Sequence, residues 1–254
     1  MKLLLHLSYL GTAYYGYQVQ PNGVTVQQKL NEAAADLFGF DCDVTGCSRT
    51  DSGVHARDFA ATIAAKGKNR IETAIETERL PQALNVRLPD DIAVFSASWV
   101  QDDFHARYDV VSKRYEYLIY NGRERDPFLL DRAWHLPVPF DAAALEKMRR
   151  AAAAFVSRRD FSALRDSGAD TDVKDAVREV FEVSLDKEGD LLRFRVRADG
   201  FLYHMVRIMV GTLVDVGRGR IPADDLPRLL AAGDRRSMGV TAPAAGLYLD
   251  KVFY

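Results

Sequence analysis

The order of apolar and polar positions in the first hundred residues predicts a strand, a helix, two strands, a second helix and a last strand. The first strand is the apolar run from Lys2 to Tyr9. The first helix begins at a capping box formed by Thr25 and Gln28, and its apolar residues recur on one side. The βαββαβ order is typical of ferredoxin-like folds. The later elements are expected near residues 43–48, 57–65, 70–84 and 91–99.

The second half of the chain predicts a looser version of the same order. Two α+β lobes with mainly antiparallel sheets are therefore expected, one of residues 1–103 and one of residues 104–254. Sequence identity between the halves is not evident, so the duplication is inferred from element order alone. The expected strands lie near residues 113–120, 132–136, 176–185, 191–198 and 247–253, and the expected helices near 142–155, 201–216 and 224–232.

The composition predicts a globular protein of a reducing cytoplasm. Charged residues make up 28% of the chain and apolar residues 48%. The apolar stretch from Leu3 to Leu5 ends at His6, far short of the roughly 18 residues that a membrane span needs, and no signal peptide is visible. Cys42 and Cys47 would point to opposite faces if both were extended, so neither a disulfide nor a metal site is expected.

The net charge of −2 gives no overall support for binding to nucleic acid, so any RNA-binding surface has to be local. Arg193, Arg195 and Arg197 alternate with apolar residues, which places three guanidiniums on one face of a strand. That row fits either a solvated sheet face or an RNA contact. Further basic candidates are Arg49, Arg57, Lys66, Lys68, Arg70, Lys113 and Arg114.

The stretch from Gly46 to Ala56, Gly-Cys-Ser-Arg-Thr-Asp-Ser-Gly-Val-His-Ala, is the most informative part of the chain. It places Asp51 two positions after Arg49 in a loop between two predicted strands, where a scaffold can hold a reactive side chain. The alternative is a hairpin loop in which Asp51 and its hydroxyl-bearing neighbours only cap backbone N–H groups.

The whole string resembles the Arg-Thr-Asp-x-Gly-Val-His-Ala signature of the tRNA pseudouridine synthase A family. In that family the aspartate of the motif is catalytic, and the matching residue here is Asp51. The target nucleotide is flipped out of a stacked stem, which implies that Arg49 and His55 fill the gap or hold the RNA backbone.

A second segment, Phe201 to Val216, is apolar on nearly all sides and predicts a buried helix with Arg207 in its middle. A buried guanidinium without a partner costs several kcal/mol, so Arg207 should meet a carboxylate or a phosphate. A structural ion pair elsewhere in the core would satisfy this condition. The segment also resembles a second motif of the family, whose arginine pairs with the catalytic aspartate, and this implies a pair between Arg207 and Asp51.

Three further segments carry the resemblance. Tyr115 matches a tyrosine that lies against the target uracil, although Tyr115 and Tyr117 would share one face of a strand and could both serve packing. Leu247 matches the aliphatic residue behind the flipped base. His105 and Arg107, in Phe-His-Ala-Arg, extend the match.

The chain departs from the family pattern at a few positions. Leu10 stands where the family often has aspartate, and Tyr17 where it often has tryptophan. Arg57, Asp58 and Phe59 replace a run similar to Gly-Gln-Val. These departures concern substrate contacts rather than the assignment of Asp51.

The resemblance implies conversion of uridine to pseudouridine at tRNA positions 38, 39 and 40 by a cytoplasmic homodimer whose lobes meet at a basic cleft holding Asp51. The reaction breaks the N1–C1′ bond and joins C5 to C1′, with no redox change or group donor. No cofactor and no metal are therefore expected. Asp51 could attack the sugar, attack the base or take the C2′ proton, and the residues leave these routes open.

Two other functions fit parts of the sequence. Thr50-Asp51-Ser52-Gly53 loosely resembles the nucleophile loop of aspartyl-phosphate enzymes, but a neighbouring second carboxylate for Mg²⁺ and a glycine-rich phosphate loop are missing from the sequence. A non-catalytic RNA-binding module should have exposed aromatic pairs on its central strands. This function would also leave unexplained why Asp51, a negative charge, faces the phosphates.

Overall fold

The computed structural model describes residues 1–67, 70–167 and 175–254. It divides into two compact units, the first made of residues 1–111 with 248–254 and the second of residues 112–247. The division expected from the sequence, at residue 103, stays a prediction, and Lys68 lies outside the described residues. None of the helices in these ranges has the length and hydropathy needed to cross a membrane.

The first unit follows the predicted βαββαβ order. The elements are β1 (Lys2–Tyr9), α1 (Val26–Phe38), β2 (Cys42–Gly46), β3 (His55–Ala65), α2 (Leu80–Asn85) and β4 (Ile92–Val100). These four strands lie in the order β4-β1-β3-β2, and each neighbouring pair is antiparallel.

Local sequence explains where the first two helices begin. The Thr25 side chain accepts a hydrogen bond from the Gln28 backbone N–H, as the capping box predicts. The helix predicted near 70–84 was placed too early, because α2 begins only at Leu80, after a short 3₁₀ turn. Pro81 is the reason, since proline is tolerated in the first turn of a helix and breaks its interior.

The elements of the second unit are β5 (Ser112–Tyr120), β6 (Trp134–His135), α3 (Ala142–Ala153), β7 (Ser157–Asp160), β8 (Val177–Glu188), β9 (Leu191–Ala198), α4 (Met205–Gly217) and α5 (Leu226–Ala232). Along the chain, two strands are followed by a helix, three strands and two helices. The strands lie in the order β5-β9-β8-β7, each pair antiparallel, and β6 is parallel to β5.

Helix α4 is buried almost all round, as its apolar sequence predicts, with ten of its thirteen residues inside the second unit. It begins at Met205 rather than near 201, because His204 adopts a left-handed φ of 60°. A Cβ at Gly211 would lie 1.7 Å from the Val240 carbonyl oxygen. Glycine at this position therefore lets the backbone near Val240 pack directly against the helix.

The last strand, β10 (Leu247–Phe253), confirms the strand predicted near 247–253. Tyr248 and Leu249 pair in parallel with His55 and Ala56 at the start of β3. Strand β2 pairs further along, with the second half of β3. The loop that carries Asp51 therefore leaves the sheet at the end of β2 and returns where β10 takes over as the neighbour of β3.

Candidate active site

Asp51 is half-buried in the turn between β2 and β3, and the residue before it is held on two sides. The Thr50 hydroxyl lies 2.8 Å from the Tyr9 hydroxyl, and the Thr50 carbonyl accepts the Tyr17 N–H at 3.1 Å. These contacts join the turn to the last residue of β1 and to the segment that follows β1. The backbone next to Asp51 is thereby held in place.

The residues after Asp51 are tied to the same segment. The Ser52 hydroxyl donates to the Tyr14 carbonyl at 3.1 Å. Gly53 has a φ of 79°, which L side chains rarely adopt. Gly16, with a φ of 82°, lies so close that a Cβ there would be 2.7 Å from the Thr50 carbonyl oxygen. A turn pinned on both sides is suited to hold a carboxylate in one orientation.

His55 is fully buried at the start of β3. Its Nδ1 accepts the Gly11 N–H at 2.9 Å, and its ring lies 4.7 Å from the Tyr248 ring of β10. Tyr248 also contacts the exposed Arg57, whose guanidinium lies 4.6 Å from the centre of the Tyr248 ring. His55 therefore joins the segment after β1 to β3 and β10, and its predicted contact with RNA stays a prediction.

Two of the departures from the family pattern line one surface. Leu10 and Arg57 border a cleft of about 360 Å³ in the first unit, together with Asp90, Asp91 and Tyr248. The cleft thus has carboxylates as well as a guanidinium on its walls. Sequence reasoning found the two departures but gave no sign that they lie together.

A second cleft, of about 220 Å³, brings together three residues that the sequence singled out, namely Arg49, His105 and Arg107. The His105 Nδ1 accepts the N–H groups of Arg107 and Tyr108, at 3.1 and 3.3 Å. Tyr108 also lines the cleft, and its side chain is 74% exposed. The arrangement places two guanidiniums and an exposed aromatic ring at one surface.

In the second unit, Tyr115 is buried and meets the Phe201 ring edge-on at 5.0 Å. Tyr117 lies on the same face of β5, and its hydroxyl donates to the Pro243 carbonyl at 2.7 Å. Leu247 is buried as well. Tyr117 therefore has a packing role, which the sequence left open for both tyrosines.

Arg207 is half-buried on α4 and is fixed by the backbone of one neighbour. Its Nε donates to the Ala242 carbonyl at 2.7 Å, and the Ala242 N–H donates to the Arg207 carbonyl at 3.1 Å. Burial raises the pKa of the Tyr117 phenol above its usual value, and the positive charge of Arg207 offsets part of that rise. Tyr117 therefore remains a neutral hydrogen-bond donor.

Asp166, which sequence reasoning missed, binds the segments on both sides of the contact between Arg207 and Ala242. Its carboxylate receives Arg235 Nε at 2.7 Å and the Thr241 hydroxyl at 2.7 Å, and lies 2.8 Å from His204 Nδ1. Burial alone would raise the Asp166 pKa, but these hydrogen bonds outweigh it and lower the pKa to about 2. Asp166 thus connects the residue before α4 with the residue before Ala242.

Asp166→Asn is expected to lower the free energy of unfolding at pH 7 by about 1–2 kcal/mol, because the folded state loses a charged acceptor. A carboxyl with a depressed folded pKa stabilises above its unfolded pKa of about 3.9 and loses that effect as pH falls towards 2. Urea melts at pH 7, 4, 3 and 2.5 should therefore show the variant approaching wild type on acidification. The exposed Asp224→Asn is the control, and a difference that does not depend on pH would contradict the expectation.

The three arginines of β9, which are Arg193, Arg195 and Arg197, share one face of the strand as predicted. The buried carboxylate of Glu116 lies beside two of them. Glu116, on the neighbouring strand, is reached by Arg193 at 3.3 Å and by Arg195 at 2.9 Å. Arg197 Nε donates to the Ser112 hydroxyl at 2.9 Å. Part of the positive charge predicted for this face is therefore compensated within the second unit.

Comparison with known proteins places this chain in a family. A family model described as tRNA pseudouridine synthase matches residues 7–109 and 151–254. The chain is 43% identical to tRNA pseudouridine synthase A of Acetivibrio thermocellus, with 98% of each chain covered. It is 43% identical to the protein of that name from Moorella thermoacetica and 41% identical to that from Bacillus pumilus, with at least 99% of each chain covered.

Among solved structures, the chain is similar to a chain in the crystal structure of a Cbf5-Nop10-Gar1 complex, with a TM-score of 0.34 and 10% identity. The similarity covers 84% of this chain and 53% of the other, and it is too distant to bear on function. The family model and the full-length relatives confirm the resemblance carried by the motif around Asp51. The chain belongs to the tRNA pseudouridine synthase family.

Proposed function

We propose that this enzyme converts uridine to pseudouridine at positions 38, 39 and 40 of the tRNA anticodon stem-loop, with Asp51 as the catalytic carboxylate. The observation that carries the proposal is the motif turn, in which the residues on both sides of Asp51 are held by the end of β1 and the segment after it. A carboxylate with a fixed backbone loses little entropy when it reaches its reacting position.

The carboxylate has three possible first steps, namely attack on C1′, attack on the base and removal of the C2′ proton. In each, the N1–C1′ bond breaks, the uracil turns, and C5 joins C1′. The C5 proton is then released to solvent, N1 takes up a proton in its place, and any bond formed to Asp51 breaks. The proposal does not depend on the choice among these steps, because all three require an ionised Asp51 beside a flipped nucleotide.

The pocket for the flipped uracil is assigned to Tyr115, Leu247 and Arg207, on the basis of the family motifs that they match. Tyr115 and Leu247 are both buried and offer apolar surface, which suits the stacking of a base. Arg207 is proposed to pair with Asp51 and to keep it ionised and oriented.

Contacts with the rest of the tRNA are assigned to Arg49, His105 and Arg107, which share one cleft. His55, being buried, is proposed to act on the RNA through the Gly11 turn that its ring holds. The proposed setting is a homodimer in the cytoplasm that binds tRNA and needs no cofactor.

Release of tritium from tRNA labelled at uracil C5 tests the proposed function directly. Purified enzyme should release tritium from a transcript with uridine at positions 38 to 40 and should release none when those three positions carry cytidine. Carbodiimide mapping of the product should then place pseudouridine at the same positions. Tritium release that persists in the cytidine control would show another target, and no release from either transcript would refute the proposal.

A further inference from the structure

The hydroxyl of Tyr17 is a buried polar group that the mechanism above does not use. The side chain is 2% exposed, and its ring stacks on the Phe59 ring at 4.3 Å. The phenol oxygen has no hydrogen-bond partner among the residues that the structure describes. A buried hydroxyl left unpaired costs about 1–3 kcal/mol, so this group calls for an explanation.

The surroundings of the Tyr17 hydroxyl offer an explanation. A Cβ added at Gly46 would lie 2.7 Å from the phenol oxygen, so that oxygen lies directly against the end of β2. Tyr17 and Gly46 both line the cleft of about 220 Å³ that also contains Arg49 and Arg107. Tyr17 is therefore a lining residue of that cleft, and its hydroxyl is itself buried.

The chemistry of the cleft favours an anion. Both charged side chains in its described lining are arginines, and most of the remaining residues are neutral and polar. Burial raises the pKa of the Tyr17 phenol well above its usual value, which keeps it a neutral O–H donor. The volume is below the roughly 300–1,000 Å³ of sites for drug-sized ligands, and it suits a phosphate group better than a whole nucleotide.

We infer that this cleft binds one phosphodiester group of the RNA, with Arg49 and Arg107 holding the phosphate and the Tyr17 hydroxyl donating to one of its oxygens, directly or through a single water. The exposed ring of Tyr108 at the rim offers a stacking surface for an adjacent base. That the phosphate belongs to tRNA rests on the proposed function.

Tyr17→Phe is the test, because it removes the hydroxyl and leaves the ring stacked on Phe59. The variant should bind tRNA about 5- to 10-fold more weakly, while its free energy of unfolding in urea stays equal to wild type or rises. Tyr14→Phe supplies the comparison, since it removes a hydroxyl that donates to Asp91 and should lower that free energy. A Tyr17→Phe variant that is destabilised and binds tRNA normally would show a purely structural hydroxyl and overturn the inference.

Two further measurements identify the ligand. Arg107→Met should weaken tRNA binding. It should also reduce the slope of log Kd against log salt by about one, the amount expected for the loss of one contact with an RNA phosphate. Inorganic phosphate should compete only at concentrations far above those of tRNA. If phosphate competed equally well with and without the Tyr17 hydroxyl, and the salt slope did not change, the cleft would not be an RNA phosphate site. Failure of uridine conversion by wild type, with these binding differences intact, would refute the proposed function alone.

Discussion

Asp51→Asn is expected to abolish pseudouridine formation while the variant still binds tRNA within about tenfold of wild type. The amide keeps the shape of the side chain but can act neither as a nucleophile nor as a base, so every route open to the carboxylate is blocked. Binding should survive because Thr50 and Ser52 make contacts that hold the turn and that the substitution leaves in place. Single-turnover tritium release and a filter-binding titration of the same preparation measure the two effects.

The control is Asp43→Asn, which makes the same chemical change at an exposed position of β2 in the same hairpin. It should leave turnover and binding close to wild type. Turnover of the Asp51 variant above that of a mock preparation would remove Asp51 from the catalytic role.

Arg207→Ala is expected to have the second largest effect, lowering both turnover and stability. If the proposed pair with Asp51 is well desolvated, removing the guanidinium leaves a carboxylate without its partner and costs up to about 3–5 kcal/mol. Part of the loss comes from the bond that Nε donates to Ala242. Arg207→Lys separates the two contributions, because it retains the charge and loses that bond.

A double-mutant cycle tests the proposed pair itself. Arg207→Ala and Asp51→Ala each break the same interaction, so the double variant should be less destabilised than the sum of the two by about 0.5–3 kcal/mol. Urea melts of the four proteins give the coupling energy. Additive effects would show that the two residues do not interact, and the role assigned to the second motif would then be wrong.

Local patterns predicted most elements of the fold and failed where one residue overrides a pattern. The capping box at Thr25 located α1, because the donor that it satisfies lies three residues away. Pro81 and the left-handed His204 shifted the starts of two helices that looked continuous by hydropathy. The strand β7 was missed, because its sequence, Ser-Arg-Arg-Asp, has no apolar alternation, and only pairing with β8 makes it a strand.

The candidate site shows the same limit. Asp51 was predicted because its neighbours in the chain form a motif, and its catalytic role stays a prediction. Asp166 was not, since its partners His204, Arg235 and Thr241 are 38, 69 and 75 positions away and follow no pattern that links them. The unpaired hydroxyl of Tyr17 was equally out of reach, because pairing depends on which atoms packing brings within hydrogen-bond distance.

The pairing of β10 with the start of β3 has a consequence for how the protein is made. A ribosome adds about 5–20 residues per second, so roughly 10–40 s pass between synthesis of His55 and synthesis of Tyr248. During that time the nascent first unit has β1 to β4 available but lacks the strand that pairs with this end of β3. An unpaired strand end invites contact with other chains. Emergence of β10 is therefore the step that closes this edge next to the turn that carries Asp51, and a ribosome stalled before residue 248 would leave the edge open to aggregation.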